Sequence, residues 1–216
     1  MRMKNLYKLI TKSILAGVLI ALAGFVYINC ADKTIGAFLF SFGLCLVLIL
    51  EANLYTGKVG YVNSKQGVFE LALMLMFNIV GAFIVGLLCH GAYVKDPVEI
   101  VTAKIQTDLF STLLKSIGCG ICIYGAVEGY KKTKSFIPVI SGVMVFILAG
   151  FNHVVADAFY IGAAILSTEL NFASGVMLTL SLTAYLFLVA TGNAIGSILI
   201  RLLQRGWKDE VPKDLH

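Results

Sequence analysis

Charge is what this chain lacks. Only 13% of its 216 residues are Asp, Glu, Lys or Arg, against 59% hydrophobic residues and a mean hydropathy of +0.90. A soluble domain carries about 25% charged residues. A water-soluble fold is therefore excluded, and an integral membrane protein is expected. The net charge of +5 implies nothing about nucleic acid, and none is expected as a partner. In a membrane protein the placement of Lys and Arg matters more than their sum. No nucleotide loop or appended catalytic module is visible, so transport driven by ATP on this chain is not expected. A cleavable signal peptide is not expected either, because the first apolar run is long and lacks a clear small-residue cleavage site. The cysteines are odd in number (Cys30, Cys45, Cys89, Cys119, Cys122) and most fall in apolar runs. They read as small apolar fillers. Cys119-Gly120-Ile121-Cys122 has redox spacing without the soluble βαβ context that motif needs.

Apolar runs are abundant. A spanning helix needs about 20 mostly apolar residues, and the chain offers about six candidates. They are Ile14 to Ile28 (with a possible start at Leu9), Ile35 to Leu50, Phe69 to His90, Leu109 to about Tyr124, Phe136 to Leu166 and Val176 to Leu203. Their flanks follow the positive-inside rule. Arg2, Lys4, Lys8 and Lys12 precede the first run; Lys58 and Lys65 follow the second; Lys131, Lys132 and Lys134 follow the fourth; Arg201, Arg205, Lys208 and Lys213 end the chain. The alternate connections, with Asp32 and Lys33, then Lys95, Asp96, Glu99, Lys104 and Asp108, then Glu169, are poorer in base. A single transmembrane domain over residues 1–216 is expected, with residues 1–8 and the tail 204–216 on the cytoplasmic side.

Polar residues interrupt these runs in telling places. Gly150-Phe151-Asn152-His153-Val154-Val155-Ala156-Asp157 puts an amide, an imidazole and a carboxylate in the middle of the fifth run. Ionisable groups at membrane depth are costly and usually face a bundle interior or a water-filled path. Glu51-Ala52-Asn53-Leu54-Tyr55-Thr56-Gly57-Lys58 breaks the second run, and Thr191-Gly192-Asn193-Ala194-Ile195-Gly196 interrupts the sixth. Ala52-Asn53-Leu54-Tyr55-Thr56-Gly57 echoes Ala156-Asp157-Ala158-Phe159-Tyr160-Ile161-Gly162. Paired interruptions in halves that enter from opposite sides point to a midplane site between them. Most glycines read as helix packing, with Gly57, Gly150 and Gly192 assigned to breaks.

These stretches, with Leu39-Phe40-Ser41-Phe42-Gly43-Leu44, resemble the formate/nitrite transporter family from Leu6 to Leu203. The resemblance implies an all-α protomer of aquaporin-like form. It has six transmembrane helices as an inverted 3+3 repeat, with helices 2, 5 and 6 broken, and assembles as a homopentamer with one pore per protomer. It makes His153 the pore histidine, Thr56 the facing loop threonine, Lys104 the vestibule lysine and Asn193 a pore-side asparagine, with Asn152 beside the histidine. Phe40, Leu44 and Leu54 match one constriction, with Tyr55 where Phe is usual; Ile123 and Phe146 match the other. The chain departs from the family pattern in several places. Asn53 and Asn152 stand where an acidic residue is usual, Gly120 and Asp157 where Asn is usual, and Gly162 where proline is usual.

The implied function is a plasma-membrane channel or transporter for small weak-acid anions, formate first, with nitrite and hydrosulfide as alternatives. A bare ion entering a low dielectric tends to neutralise instead. The expected partners are therefore these anions, protons and the bilayer, with no cofactor or metal and no enzymatic activity. A neutral-solute channel, or a membrane enzyme using His153 with Asp157 or the Cys119/Cys122 pair, are the competing readings. Asp157 is expected to cap the second half of the broken fifth helix, since Asp is a good N-cap.

Overall fold

The computed structural model describes residues 3–167 and 175–208, with side chains for 3–167 and 180–205. Every element among the described residues is helical. α1 spans Met3–Asn29 and α2 Lys33–Ile49; α3, Tyr55–Lys58, runs into a 3-10 turn at Val59–Tyr61; α4 spans Lys65–Leu88. α5 is Pro97–Gln106, α6 Leu109–Thr133, α7 Ile137–Leu148, α8 Val154–Ala164 and α9 Gly175–Lys208. Among the described residues α1, α4, α6 and the Leu180–Arg205 part of α9 are each long and apolar enough to cross a bilayer, while α2, α7 and α8 are apolar but shorter. Apolar side chains cover the outside as well as the core: Leu22, Phe42, Ile84 and Phe187 are exposed. Helices that are hydrophobic all round belong in lipid.

The helix starts are written locally. Asp32, Ser64, Asp96 and Asp108 are N-caps whose side chains accept from the backbone N–H of Ile35, Gly67, Val98 and Ser111, satisfying donors that the helix itself leaves free. Accepting the Ser111 N–H also holds the Asp108 carboxyl below its ordinary range. Pro97 adds a residue pre-shaped for a first turn,. The connection from Lys95 to Asp108, expected as a polar link, is thus largely the helix α5. The fourth run extends beyond Tyr124: α6 continues to Thr133 with Lys131 and Lys132 in its last turn, and stops at Lys134 in the left-handed conformation (φ 57°).

The two halves of the chain build the same contacts. Asn78 in α4 accepts the backbone N–H of Tyr55 (2.8 Å) and donates to the carbonyls of Asn53 (2.8 Å) and Ser13 (2.7 Å). Asn193 in α9 accepts the N–H of Val154 (3.1 Å) and donates to the carbonyls of Asn152 (2.9 Å) and Ser116 (2.8 Å). Each amide ties a chain break to a long helix. The small residues match too. A Cβ on Gly17 would strike the Asn78 carbonyl and one on Gly120 the Asn193 carbonyl; Gly81 lies against the Ile14 carbonyl and Gly196 against that of Ile117. Such close approaches let helix backbones pack where lipid supplies no hydrophobic drive.

Three expectations need correction. The sixth run is not broken: α9 is continuous through Thr191–Gly196. Gly192 and Gly196 serve close approach, to Ser116 and Ile117 of α6. The echo has a different register, since Asn53-Leu54-Tyr55 is held as Asn152-His153-Val154 is. Asp157 is not the cap of α8. The cap is His153, whose Nδ1 accepts the N–H of Ala156, and Asp157 lies in the first turn. Glu169 and Lys213 lie outside the described residues.

Candidate functional site

The helix α2 ends at Ile49 and the chain resumes helix at Tyr55; α7 ends at Leu148 and α8 begins at Val154. Between them the backbone is not helical, and such backbone survives at membrane depth only when its polar groups are satisfied by protein or a cavity. Asn78 and Asn193 supply those partners. Among the described residues no buried side-chain N or O atom lacks a hydrogen-bond partner. The sharp turns need positive φ, at Glu51 (49°) in the first break and Gly150 (70°) in the second.

The breaks deliver Thr56 and His153 to one point. Thr56 Oγ1 lies 2.9 Å from His153 Nε2, with both residues buried. The Ala156 N–H donates to His153 Nδ1 (3.2 Å). In a neutral imidazole one nitrogen accepts and the other carries hydrogen. The proton therefore sits on Nε2, which donates to the Thr56 hydroxyl. A second proton, on Nδ1, would set N–H against N–H and cost the α8 cap. Phe146 stacks on the ring (centroids 5.7 Å apart, 24° between planes), and Phe40 meets Phe146 edge-on at 5.9 Å. Phe40, matched to one constriction, thus packs against Phe146, matched to the other. Leu44, Leu54, Ile123 and Tyr55 are buried. The Tyr55 hydroxyl donates to the Ala190 carbonyl (3.2 Å), fixing it to α9.

A cavity of about 390 Å³ reaches His153 from the α5 side; its wall includes Lys104, Lys115, Phe146, Asn152 and Asp157. Lys104 Nζ donates to Asn152 Oδ1 (2.8 Å) and pairs with Asp157 Oδ1 (2.9 Å), while Tyr185 donates to Asp157 Oδ2 (2.8 Å). A second cavity of about 170 Å³ is lined by Leu44, Leu54, Gly57, Lys58 and Lys131. There Lys58 Nζ donates to Asn53 Oδ1 (2.6 Å), as Lys104 does to Asn152. The two cavities share no lining residue: His153 lines the first, and its partner Thr56 lies in the chain between Leu54 and Gly57, which line the second.

The structure therefore brings together His153, Thr56, Asn152 and Lys104. It draws Asn193 away to the backbone, where it is fully buried and absent from the cavity wall. Sequence reasoning missed Asn78, Tyr185 and the Lys104–Asp157 pair. Asn78 was detectable: Lys12-Ser13-Ile14 with Asn78 and Gly81 repeats as Lys115-Ser116-Ile117 with Asn193 and Gly196. The five cysteines are free, and Cys119 and Cys122 lie within α6.

The model of the family described as formate/nitrite transporter matches residues 1–205. The chain belongs to the formate/nitrite transporter family. It is accordingly a multi-pass membrane transport protein and not an enzyme. The chain is similar to the uncharacterized transporter YrhG of Bacillus subtilis (strain 168), 29% identical over 189 residues, covering 76% of this chain and 67% of that one. The formate channel BtFdhC of Bacillus thuringiensis is 28% identical over 184 residues, covering 76% and 68%. An FNT family ion channel superimposes with a TM-score of 0.84 at 19% identity, covering 97% of this chain and 92% of that structure. A pentameric formate channel with formate bound gives 0.77 at 21%, covering 97% and 99%. At these identities the solved structures establish the shared fold.

Proposed function

We propose that this formate/nitrite transporter family member is a channel for small monovalent weak-acid anions, formate first, which cross while transiently neutral beside His153. The observation that carries this is the Thr56–His153 pair: the histidine lines one cavity with Phe146, and the threonine lies in the chain between Leu54 and Gly57 of the second. The resemblance to a formate channel named as such supports the substrate class. Nitrite and hydrosulfide are likewise small monovalent anions of weak acids.

In this account the protomer is one transmembrane domain with six crossings: α1, α2 with α3, α4, α6, α7 with α8, and α9. The matched Asn78 and Asn193 networks support an inverted 3+3 repeat. Lys58 and Lys131 at one cavity and the basic flanks support cytoplasmic termini in a plasma membrane,. Five protomers assemble, each with its own pore.

The anion enters the larger cavity, where Lys95 and Lys115 raise its local concentration,. As it loses water against Phe146, the charged form is disfavoured and the anion takes a proton from cavity water. The neutral acid then meets the His153 Nε2–H and the Thr56 hydroxyl, which hold its two oxygens in turn. The tautomer that the Ala156 N–H to Nδ1 bond implies makes His153 a hydrogen-bond donor in this step. It is not the source of the proton, because a second ring proton would break the α8 cap. Release into the second cavity beyond Leu54 rehydrates the acid, and it ionises. Uptake of labelled formate into proteoliposomes tests this. Wild-type flux by His153→Ala would show that the pair is not on the route.

A further inference from the structure

We infer that Asp157 is a specificity-determining residue: a built-in carboxylate that already occupies the anion station at Lys104, so that substrate must compete with it. The inference rests on the channel reading above.

Asp157 presents to Lys104 the same carboxylate group that formate would, tethered by one methylene. Its Oδ1 lies 2.9 Å from Lys104 Nζ, and its Oδ2 accepts the Tyr185 hydroxyl at 2.8 Å. The Asp157 side chain is 2% exposed and that of Lys104 20%, and both form the wall of the 390 Å³ cavity. An ammonium has three N–H donors. Asn152 and Asp157 engage it at 2.8 and 2.9 Å. A substrate anion reaching this ammonium would sit beside a buried carboxylate, and like charges in one site disfavour each other. The residue placement makes this a property of the chain itself. An acidic residue stands not at Asn152, beside the histidine, but one turn further along α8, with Tyr185 of α9 holding its outer oxygen. The net effect is a station that fills only at high anion concentration and favours substrates that arrive protonated.

A purely structural brace between α5 and α8 makes the opposite prediction, because loss of the ion pair would then loosen the site. The two are separated by the sign of the change. The experiment is the concentration dependence of labelled formate influx into proteoliposomes at fixed, equal pH on both sides, for wild type, Asp157→Asn, Asp157→Glu and Tyr185→Phe. Asp157→Asn, which keeps the shape and removes the charge, should lower the half-saturating formate concentration by about tenfold. Asp157→Glu should not lower it. Tyr185→Phe removes the donor that shares the Asp157 charge and should raise it by about threefold. An unchanged or raised value for Asp157→Asn overturns the inference while leaving the channel reading intact. Should Asp157→Asn not be recovered as folded protein, Asp157→Ser decides: a lowered half-saturating concentration supports the inference, and an unchanged or raised one overturns it. A wild type that moves no formate, nitrite or hydrosulfide removes both the reading and the inference.

Discussion

Thr56 Oγ1 and His153 Nε2 stand 2.9 Å apart although their residues come from separate chain breaks, each tied down by its own asparagine. That contact converts a local backbone device into a shared site. The ring is both cap and donor, and the two roles can be separated. Asn is among the better N-caps and carries donors without titrating. His153→Asn should therefore retain substantial formate flux, while His153→Ala, which loses both roles, should fall by about a hundredfold. Thr56→Val should fall by about tenfold. Initial rates in proteoliposomes check all three, and equal loss in His153→Asn and His153→Ala would mean that titration is indispensable.

Lys104 and Asp157 form an ion pair whose carboxylate is buried, and stranding that carboxylate costs more than deleting the pair. Lys104→Gln leaves the Asp157 carboxylate without its cation and should destabilise the protein by about 3–5 kcal/mol. Lys104→Gln with Asp157→Asn should recover most of that loss. Thermal unfolding in detergent measures both; a double variant no more stable than the single one contradicts the pairing.

The asparagine braces should behave alike. Asn78→Ala and Asn193→Ala each strand one backbone N–H and the carbonyl of a chain break in the interior, and each should cost about 3 kcal/mol,. The expected result is two similar drops in unfolding temperature. A loss at only one site would mean that the networks do not bear equivalent loads.

Glu51 holds φ at 49° in the turn where the other half has Gly150 at 70°. A side chain there costs about 1–2 kcal/mol. The Lys12–Glu51 contact is 3.5 Å, with the Glu51 side chain 83% exposed, and exposed pairs are worth little. Glu51→Gly should thus stabilise the protein by about 1 kcal/mol, and Gly150→Ala should destabilise it by a similar amount. Comparative melting of the two variants tests the pair of signs.

Much of this was legible in the sequence, for physical reasons. Membrane depth makes polar residues costly, so Asn152, His153 and Thr56 stood out against apolar runs,. Asn78 did not, because a lone amide within an apolar helix has no local motif; its meaning lies in the backbone it reaches across the fold. Gly192 and Gly196 misled because glycine suits both a break and a close approach, and here α6 presses against them. Asp157 looked like a cap on residue preference alone. The helix begins earlier, with a histidine doing the capping, and that frees the carboxylate for Lys104.

The central claim is that cargo passes the Thr56–His153 pair without net charge. The direct measurement is formate influx into proteoliposomes at fixed pH while a potassium diffusion potential of either sign is imposed. Influx should be indifferent to the potential and should rise when the pH on both sides is lowered from about 8 to about 5. Influx that follows the potential and ignores pH would mean that the anion crosses charged, and the account would fail.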